Sequence, residues 1–401
     1  MRTLRFVGLD VHKETIVIAV ANEGQDAATI LSTIKHDVAQ LIKILLKLTD
    51  DKSLLRVCYE AGPTGFGLCR RLNAAGISCR MIAPSLIPQQ VSHRVKTDRR
   101  DAQRLAQFLR SGDLIDVWVP DEKTEALRDL ERARDDAKNA ERVCRHQLSK
   151  FLLRNERIFQ SGREWTVAHS RWLVQQKFDD PCKQRVMDDY RKAVDDTTAR
   201  VKQLSTDIAL MIRGTPLEPL VLALMAFRGI QVLSAVIIAA EIGDLKRFES
   251  ARQFMAFLGL VPSEHSSGKT IRRGSITRTG NKHVRRILVE AVHHYRHTPK
   301  MSAALRGRQK GVSAEVIAIS WNAQRRLCKR MTYFAALKKP RNKVVVALAR
   351  ELSGFIWAVG QVPVLLTSPA PAKTEGGSLP EITKKRGRVR GHTTQAQQQQ
   401  G

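Results

Sequence analysis

Residues 1–115 carry short apolar runs separated by turn residues, whereas the following stretch carries long charged segments with apolar residues at helical spacing. The runs at 4–9 and 15–21 flank the polar His12-Lys13-Glu14 and predict a β-hairpin. Another strand is predicted at 54–59, stopped by Ala61-Gly62-Pro63. In T-D-R-R-D-A-Q-R-L-A-Q-F-L, Leu105, Phe108 and Leu109 mark one helical face, with Thr97 or Asp98 placed to cap it. Strands alternating with helices predict an α/β domain over 1–115.

From 116 to 213 the pattern changes. Leu127, Leu130, Val143, Leu148 and Leu152, and then Val186, Tyr190, Val194, Val201, Leu204 and Ile208, predict two long helices paired antiparallel or as a coiled coil. Between them, 157–181 holds Trp165, Trp172 and Phe178 among Arg and His. This segment reads as a packed turn at the helix tip or as an aromatic and basic nucleic-acid contact, the packed turn being favoured. Gly214-Thr215-Pro216 opens a third, mainly helical region over 214–360, where Arg228-Gly229-Ile230 lies between two apolar stretches like a helix-hairpin-helix turn. Residues 361–401 lack an apolar pattern and predict a disordered basic and Gln-rich tail.

Charge narrows the function. The 401 residues suffice for two or three cored domains, and 68 Lys plus Arg against 39 Asp plus Glu leave a net charge of +29. Such a surplus suits a polyanion, with nucleic acid the default. No window offers a membrane span, and the N-terminus runs straight into a strand without a signal-peptide pattern, so a cytoplasmic protein is expected. Six cysteines without a C-x-x-C pair predict reduced thiols rather than a zinc ribbon or a disulfide framework. Seven Lys or Arg and no acid fall in 268–286, and nine without an acid in 321–350, which favours phosphate contact because solvated helix faces normally mix signs.

Four acids give this charge a chemical partner. Asp10 and Glu60 end apolar runs, and Asp98 and Asp101 sit three apart on one helix face. Gathered at one sheet edge, they would hold divalent cations against a phosphodiester, as in an RNase H-like nuclease. Each alone would pass for a turn or capping residue. The basic neighbours Arg94, Lys96, Arg99 and Arg100 add backbone contacts that such a site needs.

Together, G-L-D-V-H-K, Y-E-A-G, K-T-D-R-R-D-A-Q-R-L-A, A-E-I-G-D-L-K-R-F and G-L-V-P-S-E-H-S-S-G-K resemble the DEDD-type transposases of bacterial insertion sequences, the IS110 family, over roughly residues 5–355. The resemblance implies an α/β plus α fold: an RNase H-like, RuvC-like mixed-sheet domain, a helical linker and a mainly helical C-terminal transposase domain. It implies that Asp10, Glu60, Asp98 and Asp101 bind magnesium, with manganese as a substitute. It also implies a nucleophilic serine before a glycine, here Ser267 by position, with Ser263 and Ser266 as rivals and His265 as a candidate base. Its DNA partner would be double-stranded, selected through a structured guide RNA, and the active assembly would be a homo-oligomer with sites shared between protomers. Lys96, Arg99, Arg100, Lys269, Arg272, Arg273, Lys282, Arg285 and Arg286 are the expected phosphate contacts. His293, His294 and His297 crowd one helix without an assigned role. The competing readings are a structure-selective nuclease that uses water, with Ser267 merely structural, and an inert nucleic-acid-binding protein; clustered acids beside DNA argue against the last.

Overall fold

The computed structural model describes residues 3–88, 97–267 and 270–366. Two compact units divide the chain, Met1–Ala133 and Arg134–Gly401. Arg94, Lys96, Lys269 and most of the tail expected at 361–401 lie outside the described residues.

In the first unit, five strands form one mixed sheet: β1 (Arg5–Val11), β2 (Thr15–Asn22), β3 (Thr29–Lys35), β4 (Leu55–Glu60) and β5 (Ser78–Ile82). Their spatial order is β3-β2-β1-β4-β5. The first three are antiparallel neighbours, while β4 runs parallel to β1, and β5 parallel to β4. This mixed order is the RNase H-like arrangement expected above. Strand alternation sends the two faces to different partners. Leu9, Ile16, Ile18, Val57 and Tyr59 pack with α1 (Val38–Leu46) and α2 (Gly67–Ala74). The opposite face takes α3 (Asp98–Ser111): Val17, Ala19 and Ala21 pack with Ala102 and Ala106.

Close approach of α3 depends on Gly8. A Cβ there would lie 2.2 Å from Ala102 O and 2.5 Å from Ala106 N. Only a residue without a side chain lets the helix backbone meet β1. Thr97 caps α3 by accepting the Arg100 N–H, and Gly112 ends it in a left-handed conformation.

Two long helices, α4 (Glu122–Arg154) and α6 (Pro181–Met211), bracket α5 (Val167–Gln175). Over the part of α4 in the second unit, Arg134 Nε donates to Ser205 Oγ at 2.7 Å, and Thr198 Oγ1 donates to Glu141 at 3.1 Å. Phe151 meets Tyr190 with ring centroids 5.8 Å apart. These pairs run in opposite directions along the two helices, so they are antiparallel, one of the two arrangements expected. At their tip Leu148, Phe151, Leu152, Leu173 and Met187 form a small core with Trp165, Trp172 and Phe178 against it. This segment is therefore packed against the helix tip.

The remainder is helical: α7 (Glu218–Met225), α8 (Val232–Ile242), α9 (Ala251–Phe257), α10 (Lys282–Val292), α11 (Ala303–Arg308), α12 (Ala314–Ala336) and α13 (Arg341–Gly360). α13 is the central element, burying Leu348, Leu352, Ile356 and Val359. Between α9 and α10 lies a β-hairpin of β6 (Pro262–Glu264) and β7 (Arg273–Ile276). Its strands are too short and polar to register as periodic runs. All six cysteines are free thiols, four of them buried. Among the described residues no helix is long and apolar enough to cross a membrane.

Candidate active site

β1 and β4 run parallel with Gly8 opposite Cys58 and Leu9 opposite Tyr59. One step further, Asp10 and Glu60 share the carboxyl edge and the Gly8–Cys58 face. That face carries α3, as the Cys58 thiol shows by donating to Leu105 O at 3.6 Å. Asp98 and Asp101 open α3. Sheet register thus sets Asp10 and Glu60 at the ends of neighbouring strands, and Asp98 and Asp101 open the helix packed on the same face. Because Thr97 supplies the cap, the Asp98 carboxylate is not consumed in capping.

The tightest grouping is Asp10, His12 and Asp98, one ligand atom from each lying within 4.8 Å of the others. His12 Nε2 is 3.2 Å from Asp10 Oδ2 and 3.6 Å from Asp98 Oδ1. Asp101 is near enough for its charge to act on Asp10, and Arg104 Nη1 is 4.0 Å from its Oδ1. Glu60 is half-buried at the end of β4. Burial is the main cause pushing the Asp10 carboxyl above its ordinary value. His12 pulls it back, and the negative charges of Asp98 and Asp101 push it up again. An oxygen-rich donor set in which like charges already disfavour ionisation fits a hard divalent cation such as magnesium or manganese.

His12 is the member that sequence reasoning assigned to a turn. The available signal is its spacing: two residues beyond Asp10, it follows the same alternation along the strand. Its backbone N–H donates to Thr15 O at 2.8 Å, closing the β1–β2 turn, and its own carbonyl accepts from His36 Nδ1 at 2.6 Å. The turn is therefore held at both ends while the imidazole reaches the acids.

The second unit presents the serine loop on the β6–β7 hairpin. Ser267 and Thr270 exchange backbone hydrogen bonds of 3.1 and 3.0 Å across Gly268-Lys269. Ser267 is exposed, and among the described residues its Oγ has no hydrogen-bond partner. Ser266 differs: its Oγ donates to Glu264 Oε1 at 2.8 Å and accepts the Arg272 N–H at 3.3 Å. Ser263 lies under Gly274, whose absent Cβ would meet its Oγ at 2.4 Å. Of the three serines, Ser267 has the hydroxyl least committed to the hairpin. His265 donates its backbone N–H to Arg272 O at 2.9 Å, which makes it part of the hairpin ladder.

The expected phosphate contacts divide into two groups. Arg99, Arg100, Arg272 and Lys282 are exposed. Others carry internal work. Arg285 spans three carbonyls, donating to Leu258 O at 2.7 Å, Thr279 O at 2.9 Å and Arg278 O at 3.0 Å. That geometry departs from a phosphate contact and ties down the base of the serine hairpin. Nearby Gly280 has φ +69°, and a Cβ there would fall 1.9 Å from Phe257 O, so the same base is closed by a second steric constraint. Arg286 pairs with Asp135 at 2.8 Å, and Arg273 with Glu264 at 3.4 Å. In the 321–350 stretch, Arg326 and Arg330 both pair with Glu351, one residue beyond its end. The Arg228-Gly229-Ile230 turn also faces its own chain: Arg228 donates to Thr298 O at 2.9 Å and to Gln324 Oε1 at 3.0 Å. His293, His294 and His297 follow or end α10, and the His297 carbonyl accepts from the Cys328 thiol at 3.1 Å.

Residues 7–155 match a family model described as a transposase, and residues 222–306 match the transposase IS116/IS110/IS902 family. A putative transposase (y4qE) of Sinorhizobium fredii is 42% identical over 89% of this chain and 88% of its own length. The transposase for insertion sequence element IS1533 of Leptospira borgpetersenii is 33% identical over 86% of this chain and its entire length. A probable family 20 transposase of Pseudomonas aeruginosa is 27% identical over 76% of this chain and 83% of its own.

Proposed function

The chain belongs to the IS116/IS110/IS902 family of insertion-sequence transposases, enzymes that cut and transfer DNA strands, and on that premise we propose that it works through a divalent-metal carboxylate site and a serine nucleophile. Asp10, Glu60, Asp98 and Asp101 would hold magnesium or manganese, with His12 orienting the Asp10 carboxylate. When bound, the cation would supply positive charge to the scissile phosphate and the departing oxygen. The observation that carries this reading is the gathering of Asp10, His12 and Asp98 within 4.8 Å.

Ser267 Oγ would attack the phosphorus, forming a serine–phosphate bond as the bond to the 3′ oxygen breaks. The serine loses its proton and the departing 3′ oxygen takes one up. A new 3′ hydroxyl then attacks the phosphoserine, which restores the serine hydroxyl and conserves the phosphodiester. The exposed Oγ of Ser267 supports this role over Ser266, whose Oγ helps hold the hairpin. Exposed Arg272 and Lys282 would meet the DNA backbone, and Arg285 would position the loop. Selection of double-stranded donor and target DNA by a structured guide RNA, and assembly as a homo-oligomer, belong to the same reading.

The test is to trap the reaction on nicked DNA, digest the protein and map modified peptides by mass spectrometry. Ser267→Ala should lose the DNA adduct and Ser266→Ala should keep it. Metal-dependent cleavage without an adduct on any serine would instead establish a water-using nuclease. Sequencing of RNA that co-purifies with the chain checks the guide.

A further inference from the structure

Where α4 ends, the chain turns through 155–166 into α5 and leaves a cavity of about 520 Å³. Roughly 300–1,000 Å³ is the size range of small-ligand sites. Its lining is drawn from α4, the turn and α5, all within the second unit. The lining combines two kinds of group. Aromatic walls come from Trp165, Trp172 and Phe159, and cations from Arg142, Arg145 and Lys150.

The walls are ordered by their own contacts. His169 is buried and stacks near-parallel on Trp172, with ring centroids 5.6 Å apart and 21° between planes. Its Nδ1 accepts the Trp165 N–H at 3.1 Å, so the ring is neutral with its proton on Nε2. Arg145 lies over the Trp165 ring at 4.9 Å and is held by Glu141, yet its buried Nε has no acceptor. Glu141 is satisfied from within, by Lys138 and Thr198 as well as Arg145. Glu164 also lines the cavity and is reached by the Ser149 hydroxyl at 3.3 Å. Arg142 and Lys150 are exposed and have no acidic partner among the described residues.

We propose that this cavity binds one unpaired nucleotide of a single strand, its base against the aromatic and guanidinium walls and its phosphate between Arg142 and Lys150. Flat π-faces accept any base, while the two cations follow the backbone. A base carbonyl or ring nitrogen would also bring an acceptor to the Arg145–His169 wall. A paired duplex cannot offer its base faces to such a recess. The site extends the nucleic-acid reading above but does not depend on strand cleavage, so the two fail separately.

The experiment uses the full chain with fluorescent fifteen-residue oligo-U, oligo-dT and a blunt duplex, read by anisotropy. The double change Arg142→Glu with Lys150→Glu, both on exposed positions, should weaken single-strand binding about tenfold or more and lower the salt slope by about one. Duplex binding should change much less. Trp172→Ala tests the wall, and oligonucleotides carrying 5-iodouracil should crosslink to the peptide containing Trp165 or Trp172. The stronger of the oligo-U and oligo-dT signals identifies RNA or DNA as the source. Equal weakening of duplex and single strands would overturn the proposal in favour of a general phosphate surface. Unchanged binding by the double variant, or crosslinks confined to other peptides, would overturn it as well.

Discussion

The carboxylate cluster and the serine hairpin are built in opposite ways. Asp10 sits on a strand buried between helices, and its neighbour Gly8 is pressed against α3. Ser267 stands on a short hairpin whose residues are mostly exposed, and the order of that hairpin comes from its base. Groups that must share one cation need fixed spacing, which a packed sheet and helix provide. A hydroxyl that must reach into a bound strand needs exposure, and exposure leaves only hydrogen bonds such as those of Arg285 to hold it. The two halves of the proposed chemistry should therefore answer differently to perturbation.

The sharpest way to break the comparison is Asp10→Asn. Cleavage should fall about a thousandfold or more, since the lost charge is central to the acid cluster. DNA binding measured by gel shift should remain, because it rests on Lys and Arg. Near-normal cleavage by this variant would show that the cluster is not the reaction centre.

Gly8→Ala comes next. The added Cβ would meet the Ala102 carbonyl at 2.2 Å, so α3 must shift away from β1. A stability loss of about 1–3 kcal/mol is expected from such overpacking, together with a loss of cleavage through displaced Asp98 and Asp101. Urea unfolding and cleavage should both report it. A comparable Gly274→Ala change crowds only the Ser263 hydroxyl on the exposed hairpin and should cost less. Equal effects at the two glycines would erase the distinction drawn here.

A subtler contrast lies in pH. Burial, offset in part by His12, holds the Asp10 carboxyl above its ordinary value of 3.8. The metal-free fold thus binds a proton more readily than the unfolded chain, and stability is lost as pH rises from that ordinary value through the raised one. Magnesium should oppose this, so the melting shift it causes should grow over the same window and disappear in Asp10→Asn. Ser267→Ala should leave the shift intact. A magnesium effect that is flat with pH would refute the assignment of Asp10.

The smallest effect concerns the exposed hairpin itself. Arg272→Ala should lower the salt slope of DNA binding by about one unit, with a modest loss of affinity across sequences. Arg273→Ala should do less, because that guanidinium already faces Glu264. Identical slopes for the wild type and Arg272→Ala would place Arg272 away from the DNA.

Much of this was legible without coordinates. The β1–β2 hairpin, the strand before Glu60, the helix after Thr97 and the two long helices follow from periodicity, because each element buries a face of its own period. The packed tip around Trp165 and Trp172 followed from its aromatic density. The β6–β7 hairpin did not, since three or four polar residues carry no period. Arg285 was misleading for a related reason: a run of one-sign charge reveals affinity for anions but not which guanidinium is spent on nearby carbonyls.

The amino-acid order by itself determined the β1–β2 hairpin, the strand before Glu60, the helix after Thr97, the two long helices, the positive charge and the identity of the acids, all of which depend on local spacing and composition. It also placed Asp10 and Glu60 at strand ends and Asp98 and Asp101 at a helix start. Only the tertiary structure decided that β4 lies parallel to β1 in the register that sets Glu60 beside Asp10. The same holds for the docking of α3 over Gly8, for the return of His12 onto Asp10 and Asp98, and for the separation of Ser267 from Ser266 by a hydrogen bond to Glu264. The strand register, the helix docking and the His12–Asp98 contact join residues far apart in the chain, while the His12–Asp10 and Ser266–Glu264 contacts are local but depend on turn geometry that no periodicity encodes.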